Sequence, residues 1–151
     1  MLGRYADNLY WMARYLERAE NTARKIQAGL HYSITTQGEN NDLLEFLIDE
    51  ADHNKFKKKY NNFSINNVLK YLINDEENIN NIKSLLYKAR TNGKIVRTAL
   101  TREVSNSLNQ SWISTEKILS NSIKVNNLPE IIDKILNTGT CLLYTSDAAD
   151  D

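Results

Sequence analysis

The residues best suited to chemistry form one polar segment near the start of the chain. Glu17 and Glu20 are three residues apart, so a helix would place both carboxylates on one face. Paired carboxylates beside arginines can act as an acid–base pair, hold a metal pair or clamp a charged ligand. They can equally form a structural ion-pair network, and the sequence leaves both interpretations open. The polar residues around them are Arg14, Arg18, Asn21 and Arg24.

A long first helix must position this polar segment. The interval from Arg4 to Ala28 contains no Pro or Gly, and its apolar or small residues recur at alternating steps of four and three. This pattern predicts a helix over Tyr5–Ser33 with a wide apolar arc, which is typical of a central helix in a bundle. The residues of the pattern are Tyr5, Leu9, Met12, Leu16, Ala19, Ala23, Ile26 and Leu30.

A second pattern of the same kind predicts a long helix over Ile79–Leu100. The small residues Ala89 and Gly93 within it would let a neighbouring helix approach closely. Glu103 occupies the next position of the pattern, where an apolar residue is due. Because an unpaired buried carboxylate is costly, we expect arginines of the first helix to neutralise it.

Shorter helices should connect these two. Apolar spacing predicts them over Asp42–His53, after a capping Ser64, and over Leu128–Leu136, the last closed by Gly139. The predicted fold is therefore all-α, a truncated antiparallel helical bundle with two long helices, shorter connecting helices and no sheet.

Two further motifs are incomplete. Glu50-x-x-His53 has the spacing of a di-metal ligand pair in a helical bundle, but it occurs once, and we predict no metal site. Basic and aromatic residues are interleaved over Lys55–Tyr60, a pattern that single-stranded nucleic-acid binders use. A solvated loop with inward-facing aromatic rings explains this short run as well, so nucleic-acid binding remains an alternative function only.

Composition restricts the remaining functions. The chain has 151 residues, enough for one core, and its 19 basic and 19 acidic side chains give no net field to attract nucleic acid or anionic lipid. Its lone Cys141 cannot form an internal disulfide. No basic segment followed by an apolar core marks a signal peptide, and no apolar run approaches a membrane span. We expect a cytoplasmic protein without membrane association or cofactor.

The opening segment resembles a known family. Residues 2–24, LGRYADNLYWMARYLERAENTAR, resemble without gaps the start of the bacterial alpha-E domain family, whose Glu-Arg motif reads here as Leu16–Asn21. Lys88–Arg97 is similar to the family's second motif, although Thr91 replaces the usual acidic residue. Glu103 is similar to a later carboxylate of the family. The resemblance therefore adds Arg90, Asn92 and Glu103 to the candidate polar site.

The resemblance also implies a function. Members of this family are accessory helical proteins, often encoded beside ATP-grasp-type ligases and transglutaminase-like proteins, which implies a scaffold role in peptide- or amide-bond metabolism. The alternative is an enzyme that uses the Glu17, Glu20 and arginine cluster together with residues beyond this chain. Because the family domain is longer, we expect residues 1–140 to be its N-terminal part.

The final segment, residues 141–151, has a different character. Its sequence CLLYTSDAADD resembles a translated sequencing adapter, so we expect a non-native tail that makes few contacts with the helices.

Overall fold

The computed structural model describes residues 2–35, 42–121, 123 and 125–147. Within these ranges every regular element is a helix, which confirms the predicted all-α class. The α-helices are α1 (Leu2–Thr35), α2 (Asp42–Glu45), α3 (His53–Lys59), α4 (Ile65–Ile73), α5 (Ile82–Ile95), α6 (Arg102–Leu119) and α7 (Leu128–Asp147), and short 3-10 helices occupy Glu50–Asp52 and Val125–Asn127.

Four of the helices form the body of a bundle. α1 packs along α5, α5 along α6, α6 along α7, and α7 against α1, so each lies between two others. α1 and α5 are antiparallel: Met12 approaches Gly93, whereas Lys88, earlier in α5, lies over the ring of Tyr15, later in α1. The predicted helical bundle is thus confirmed.

The first helix confirms the four–three pattern. It buries Met12, Ala19, Ala23 and Ile26 on its inner face, with relative exposures between 0% and 9%. Its observed span, Leu2–Thr35, exceeds the predicted one by three residues at the start and two at the end. The apolar stripe therefore located this helix correctly.

The second long helix is shorter than predicted. Residues before Ile82 form turns, because asparagine side chains bond the backbone there: Asn78 Oδ1 accepts from Asn80 N at 3.1 Å. Asn81 then caps α5 by accepting a hydrogen bond from Ser84 N at 2.8 Å. Ile79 continued the apolar pattern by coincidence and is 65% exposed.

The predicted helix over Asp42–His53 is interrupted. α2 ends at Glu45, and the chain turns before resuming as a 3-10 helix and α3. The His53 Nε2 lies 2.8 Å from the carbonyl oxygen of Ile48 and 3.2 Å from that of Glu45. Since carbonyls only accept, this nitrogen carries the proton and bonds the turn that follows α2, where the Glu45 carbonyl also accepts from the Ile48 amide at 3.2 Å.

The basic and aromatic run is a helix rather than the expected loop, since most of it lies in α3. Its two aromatic residues face inward as expected: Phe56 is fully buried and stacks on Tyr60, with ring centroids 4.9 Å apart. Buried rings cannot stack on nucleotide bases, so this segment lacks half of what a single-strand binder needs.

The last helix extends past its predicted end. α7 runs from Leu128 to Asp147, with Pro129 in its first turn, where the missing amide is tolerated. Gly139 lies inside it, because a helical glycine weakens a helix without ending it. Its backbone includes residues 141–147; the packing of the side chains beyond residue 137, and hence the contacts of the tail, lie outside the described residues.

A buried carboxylate joins α3 to the turn before α5. The side chain of Asp75 is 1% exposed and accepts hydrogen bonds from Lys59 Nζ at 2.8 Å, from Tyr60 Oη at 2.5 Å and from the amide of Glu77 at 3.0 Å. Asn81 Nδ2 binds the backbone oxygen of Asp75 at 2.8 Å. Because both carboxylate oxygens of Asp75 accept hydrogen bonds, the charge can be buried without the free-energy penalty of an unpaired ion.

The Asp75 cluster shifts the pKa of its members. Burial acts to raise the pKa of the Asp75 carboxyl, but hydrogen bonds from Lys59 and Tyr60 outweigh it and hold the pKa below its usual value. Burial, followed by the hydrogen bond to the carboxylate, raises the pKa of Tyr60 well above its usual value. Burial and nearby acids raise the pKa of Tyr71 to about 12.

Gly93 sets the distance between three helices. A Cβ there would overlap Leu108 Cδ2 on α6 and would lie 3.2 Å from Met12 Sδ on α1. The prediction that this glycine permits close approach is therefore confirmed. α5 and α6 also contact each other through the rings of Tyr87 and Trp112, which lie 5.4 Å apart.

We expect Gly93→Ala to change the free energy of unfolding by no more than about 1 kcal/mol in urea denaturation. The flexible ends of the Leu108 and Met12 side chains must shift, and that cost offsets the helix propensity that alanine gains. Gly3→Ala is the matched control, since nothing lies within 4 Å of a Cβ at that position. In a Leu108→Ala background the Gly93→Ala change should be more favourable than in the wild type, because the nearest contact is then absent. An equal effect of Gly93→Ala in the two backgrounds would contradict the close approach.

We expect Tyr60→Phe to cost about 2 kcal/mol at neutral pH, because it removes a buried hydrogen bond to a charged group. The Tyr60 contribution is complete below about pH 10, where an unfolded tyrosine is protonated, and is lost as the pH rises towards the raised folded pKa. Denaturation between pH 8 and about pH 12 should therefore show a smaller alkaline loss in Tyr60→Phe than in the wild type. The exposed Tyr10→Phe change should alter neither the stability at neutral pH nor its loss at alkaline pH. If Tyr60→Phe and the wild type lost equal stability at alkaline pH, the hydrogen bond from Tyr60 to Asp75 would not be the cause.

Candidate functional site

The polar segment of the Glu-Arg motif lies on the outer side of α1. Its core-facing neighbours Ala19 and Ala23 are buried, whereas Glu17, Arg18 and Asn21 are exposed. The helix phase that buries the small residues therefore presents this polar face to solvent. We call the surface formed by Arg14, Glu17, Arg18, Glu20, Asn21 and Arg24 the Glu–Arg face.

Each carboxylate of the Glu–Arg face is neutralised by an arginine of the same helix. Arg14 Nη1 donates to Glu17 Oε2 at 2.6 Å, across three residues. Arg24 donates to Glu20 Oε1 through Nη2 at 2.7 Å and Nε at 3.1 Å, across four. The Glu20 side chain is 19% exposed and that of Glu17 is 56% exposed, so Glu20 lies nearer the core.

Two residues of the Glu–Arg face keep free hydrogen-bonding groups. Neither Arg18 nor Asn21 forms a hydrogen bond or ion pair within the described part of the chain. The face thus combines two internally paired carboxylates with an unpaired guanidinium and amide. This arrangement can pair with charged groups on another molecule, and it does not direct Glu17 and Glu20 into a common cavity.

The second motif contributes Arg90 to a separate place. Arg90 is half-buried, and its Nε and Nη2 both donate to Asn109 Oδ1 of α6, at 3.1 and 3.0 Å. It lines a cleft of about 310 Å³ between the two helices, which we call the α5–α6 cleft. The cleft is lined by Arg90, Gly93, Lys94, Arg97, Ser105, Asn106, Leu108 and Asn109. Asn92 is half-buried on α5 but does not line it.

The expected burial of Glu103 is wrong. α5 ends at Ile95, turns follow, and Thr101 caps α6 by accepting from Val104 N at 3.2 Å. This break resets the helical phase, so Val104 takes the buried position and Glu103 is exposed. No ion pair joins it to an arginine of the Glu–Arg face among the residues described. The candidate residues therefore occupy separate surfaces.

Sequence reasoning missed most of the α5–α6 cleft. Arg90, Lys94 and Arg97 are spaced at i, i+4 and i+7, the spacing of one face of a helix, although α5 ends at Ile95 and Arg97 lies in the turn after it. That spacing was a usable signal for a basic surface. Asn109 on the opposite wall carried no local signal, because only the packing of α6 brings it to Arg90.

The Glu50-x-x-His53 motif does not form a ligand pair. His53 Nδ1 lies 3.5 Å from a carboxylate oxygen of Glu45, and its ring packs edge-on against Phe63. Among the described residues, no group of three or more His, Cys, Asp or Glu side chains is placed to hold a metal ion.

Comparison with known proteins yields one match. The family Alpha-E, described as a predicted alpha-helical domain with a conserved ER motif, matches residues 1–143. No curated protein and no solved structure matches the chain. Among the helices in the described ranges, none is long and apolar enough to cross a membrane.

We expect the ion pairs of the Glu–Arg face to contribute little to folding, because exposed pairs within a helix stabilise by at most about 1 kcal/mol. Glu17→Gln and Glu20→Gln should each change the free energy of unfolding by less than that in urea denaturation. The buried Asp75→Asn change should cost about 2 kcal/mol or more. A comparable loss in Glu17→Gln would show that the face supports the fold.

Proposed function

The chain belongs to the Alpha-E family, and we propose that it is a cytoplasmic accessory domain that docks an ATP-grasp-type ligase or a transglutaminase-like protein in peptide- or amide-bond metabolism. The family resemblance implies this class of partner. The observation that carries the docking role is the Glu–Arg face, which is exposed, charged and held on one continuous helix of 34 residues.

The helix prepares the Glu–Arg face for recognition. Its backbone is fixed by its own hydrogen bonds and by packing against α5 and α7, so its side chains lose less freedom when a partner binds. The in-helix pairs orient Arg14 and Arg24, and Arg18 offers a guanidinium for a partner carboxylate. Charges arranged this way act mainly on specificity and association rate.

The geometry favours docking over catalysis by the same residues. General acid–base work needs two groups that reach one reacting centre. Glu17 and Glu20 are instead each engaged by a different arginine, Arg14 and Arg24 respectively. A catalytic role would require residues beyond those described, and no contact within the described ranges points to one.

The test is direct binding of the full chain to the purified ligase and transglutaminase-like protein from the same organism, by calorimetry at low salt. We expect one of them to bind, and Arg18→Glu to weaken that binding about tenfold, because a carboxylate of the partner would then meet a like charge. The affinity should also fall as salt is added.

Lys58→Glu provides the matched control. It makes the same charge change on an exposed residue of α3, away from the Glu–Arg face. The Lys58→Glu protein should bind the partner with the same affinity as the wild type. Failure of both candidate partners to bind, or equal losses in the two variants, would reject the proposal.

A further inference from the structure

The α5–α6 cleft is lined by cationic side chains that take no part in the proposed docking at the Glu–Arg face. Its lining includes three cations, Arg90, Lys94 and Arg97, and no carboxylate. Neither Lys94 nor Arg97 forms an ion pair within the described ranges. Arg90 and Lys94 lie on α5 and Arg97 lies in the turn that follows it, so three like charges line the same cleft and repel each other. A bound anion would relieve that repulsion.

Arg90 is oriented within this cleft rather than free to rotate. Its bonds to Asn109 Oδ1 through Nε and Nη2 use two of its five N–H groups. Three N–H groups remain, on a planar fork whose direction is already fixed by α6. A guanidinium fixed in this way binds a tetrahedral or planar oxyanion at a lower entropic cost than a flexible side chain does.

The opposite wall adds neutral hydrogen-bonding groups. Ser105 and Asn106 lie in the first two turns of α6, so a hydroxyl and an amide face the cations across the cleft. The positive end of the α6 dipole adds to the field there. Gly93 and the Leu108 side chain that packs against it also line the cleft, and Leu108 supplies its apolar surface.

We infer that the α5–α6 cleft binds the phosphate group of a small organic molecule, held by Arg90, Lys94 and Arg97. A volume of about 310 Å³ is at the small end of ligand pockets and leaves room for a few carbon atoms beyond a phosphate. A phosphate dianion matches three cations better than a carboxylate monoanion does. This site is independent of the Glu–Arg face and of any partner that binds there.

The test uses the full chain in phosphate-free buffer at constant ionic strength, titrated with inorganic phosphate, with glycerol phosphate and with acetate. Amide chemical shifts report where each probe binds. We expect glycerol phosphate to bind more tightly than inorganic phosphate, acetate to bind most weakly, and the largest shifts to fall in α5 and the start of α6. Equal affinity for all three probes would overturn the inference, since it would show charge attraction alone.

Four variants separate a built site from general attraction. Lys94→Gln and Arg97→Gln should each weaken glycerol phosphate binding about tenfold, and Arg90→Lys should do so while keeping the charge. Lys117→Gln, an exposed cation of α6 outside the cleft, should not change it. A loss in Lys117→Gln equal to that in Lys94→Gln would also overturn the inference.

Asn109→Asp provides a variant that preserves the shape of the side chain. The new carboxylate at residue 109 would pair with Arg90 and compete with the phosphate for it. Phosphate binding should be abolished, and the melting temperature should not fall. Retained binding in a folded Asn109→Asp protein would show that Arg90 does not hold the ligand.

Discussion

Three helices meet at Gly93, where the absence of a side chain lets α5 approach both α1 and α6. The contact brings Met12, Ala89, Val104 and Leu108 into one small apolar cluster, beside the larger core formed with α4 and α7. A methyl group added to residue 93 would displace the end of the Leu108 side chain on α6 and crowd that of Met12 on α1. The Glu–Arg face and the α5–α6 cleft both follow from this packing: the inner stripe of α1 faces α5, which leaves the Glu–Arg face outside, and the cleft opens beside the glycine.

The buried polar cluster around Asp75 stabilises the turn before α5. Hydrogen bonds from Lys59 and Tyr60 to Asp75 connect that turn to α3. Because the carboxylate accepts hydrogen bonds on each side, it specifies one geometry for a segment that has few apolar residues of its own. The polar cluster thus sets where α5 begins, and the apolar contact at Gly93 sets how closely α5 packs.

The sequence predicted those elements whose signal is periodic and uninterrupted. The stripe of α1 follows from spacing alone, and so does the close packing at Gly93. The start of α5 could not be predicted in this way, since the asparagines before it bond to the backbone and stop the helix while Ile79 keeps the apolar period. Glu103 was misplaced because a turn between helices resets the phase. The α5–α6 cleft needed the partner wall of α6, whose position depends on tertiary packing and not on local pattern.

The junction of α1, α5 and α6 is tested most directly by methyl NOE spectroscopy on the full chain with labelled methionine and leucine. The structure places the Met12 and Leu108 side chains on the same side of Gly93, within one cluster. We predict a strong cross-peak between the Met12 methyl group and a Leu108 methyl group, retained in Glu17→Gln and Lys94→Gln. Absence of that cross-peak in the folded wild-type protein would contradict the account, because α1 and α6 would then not meet over Gly93.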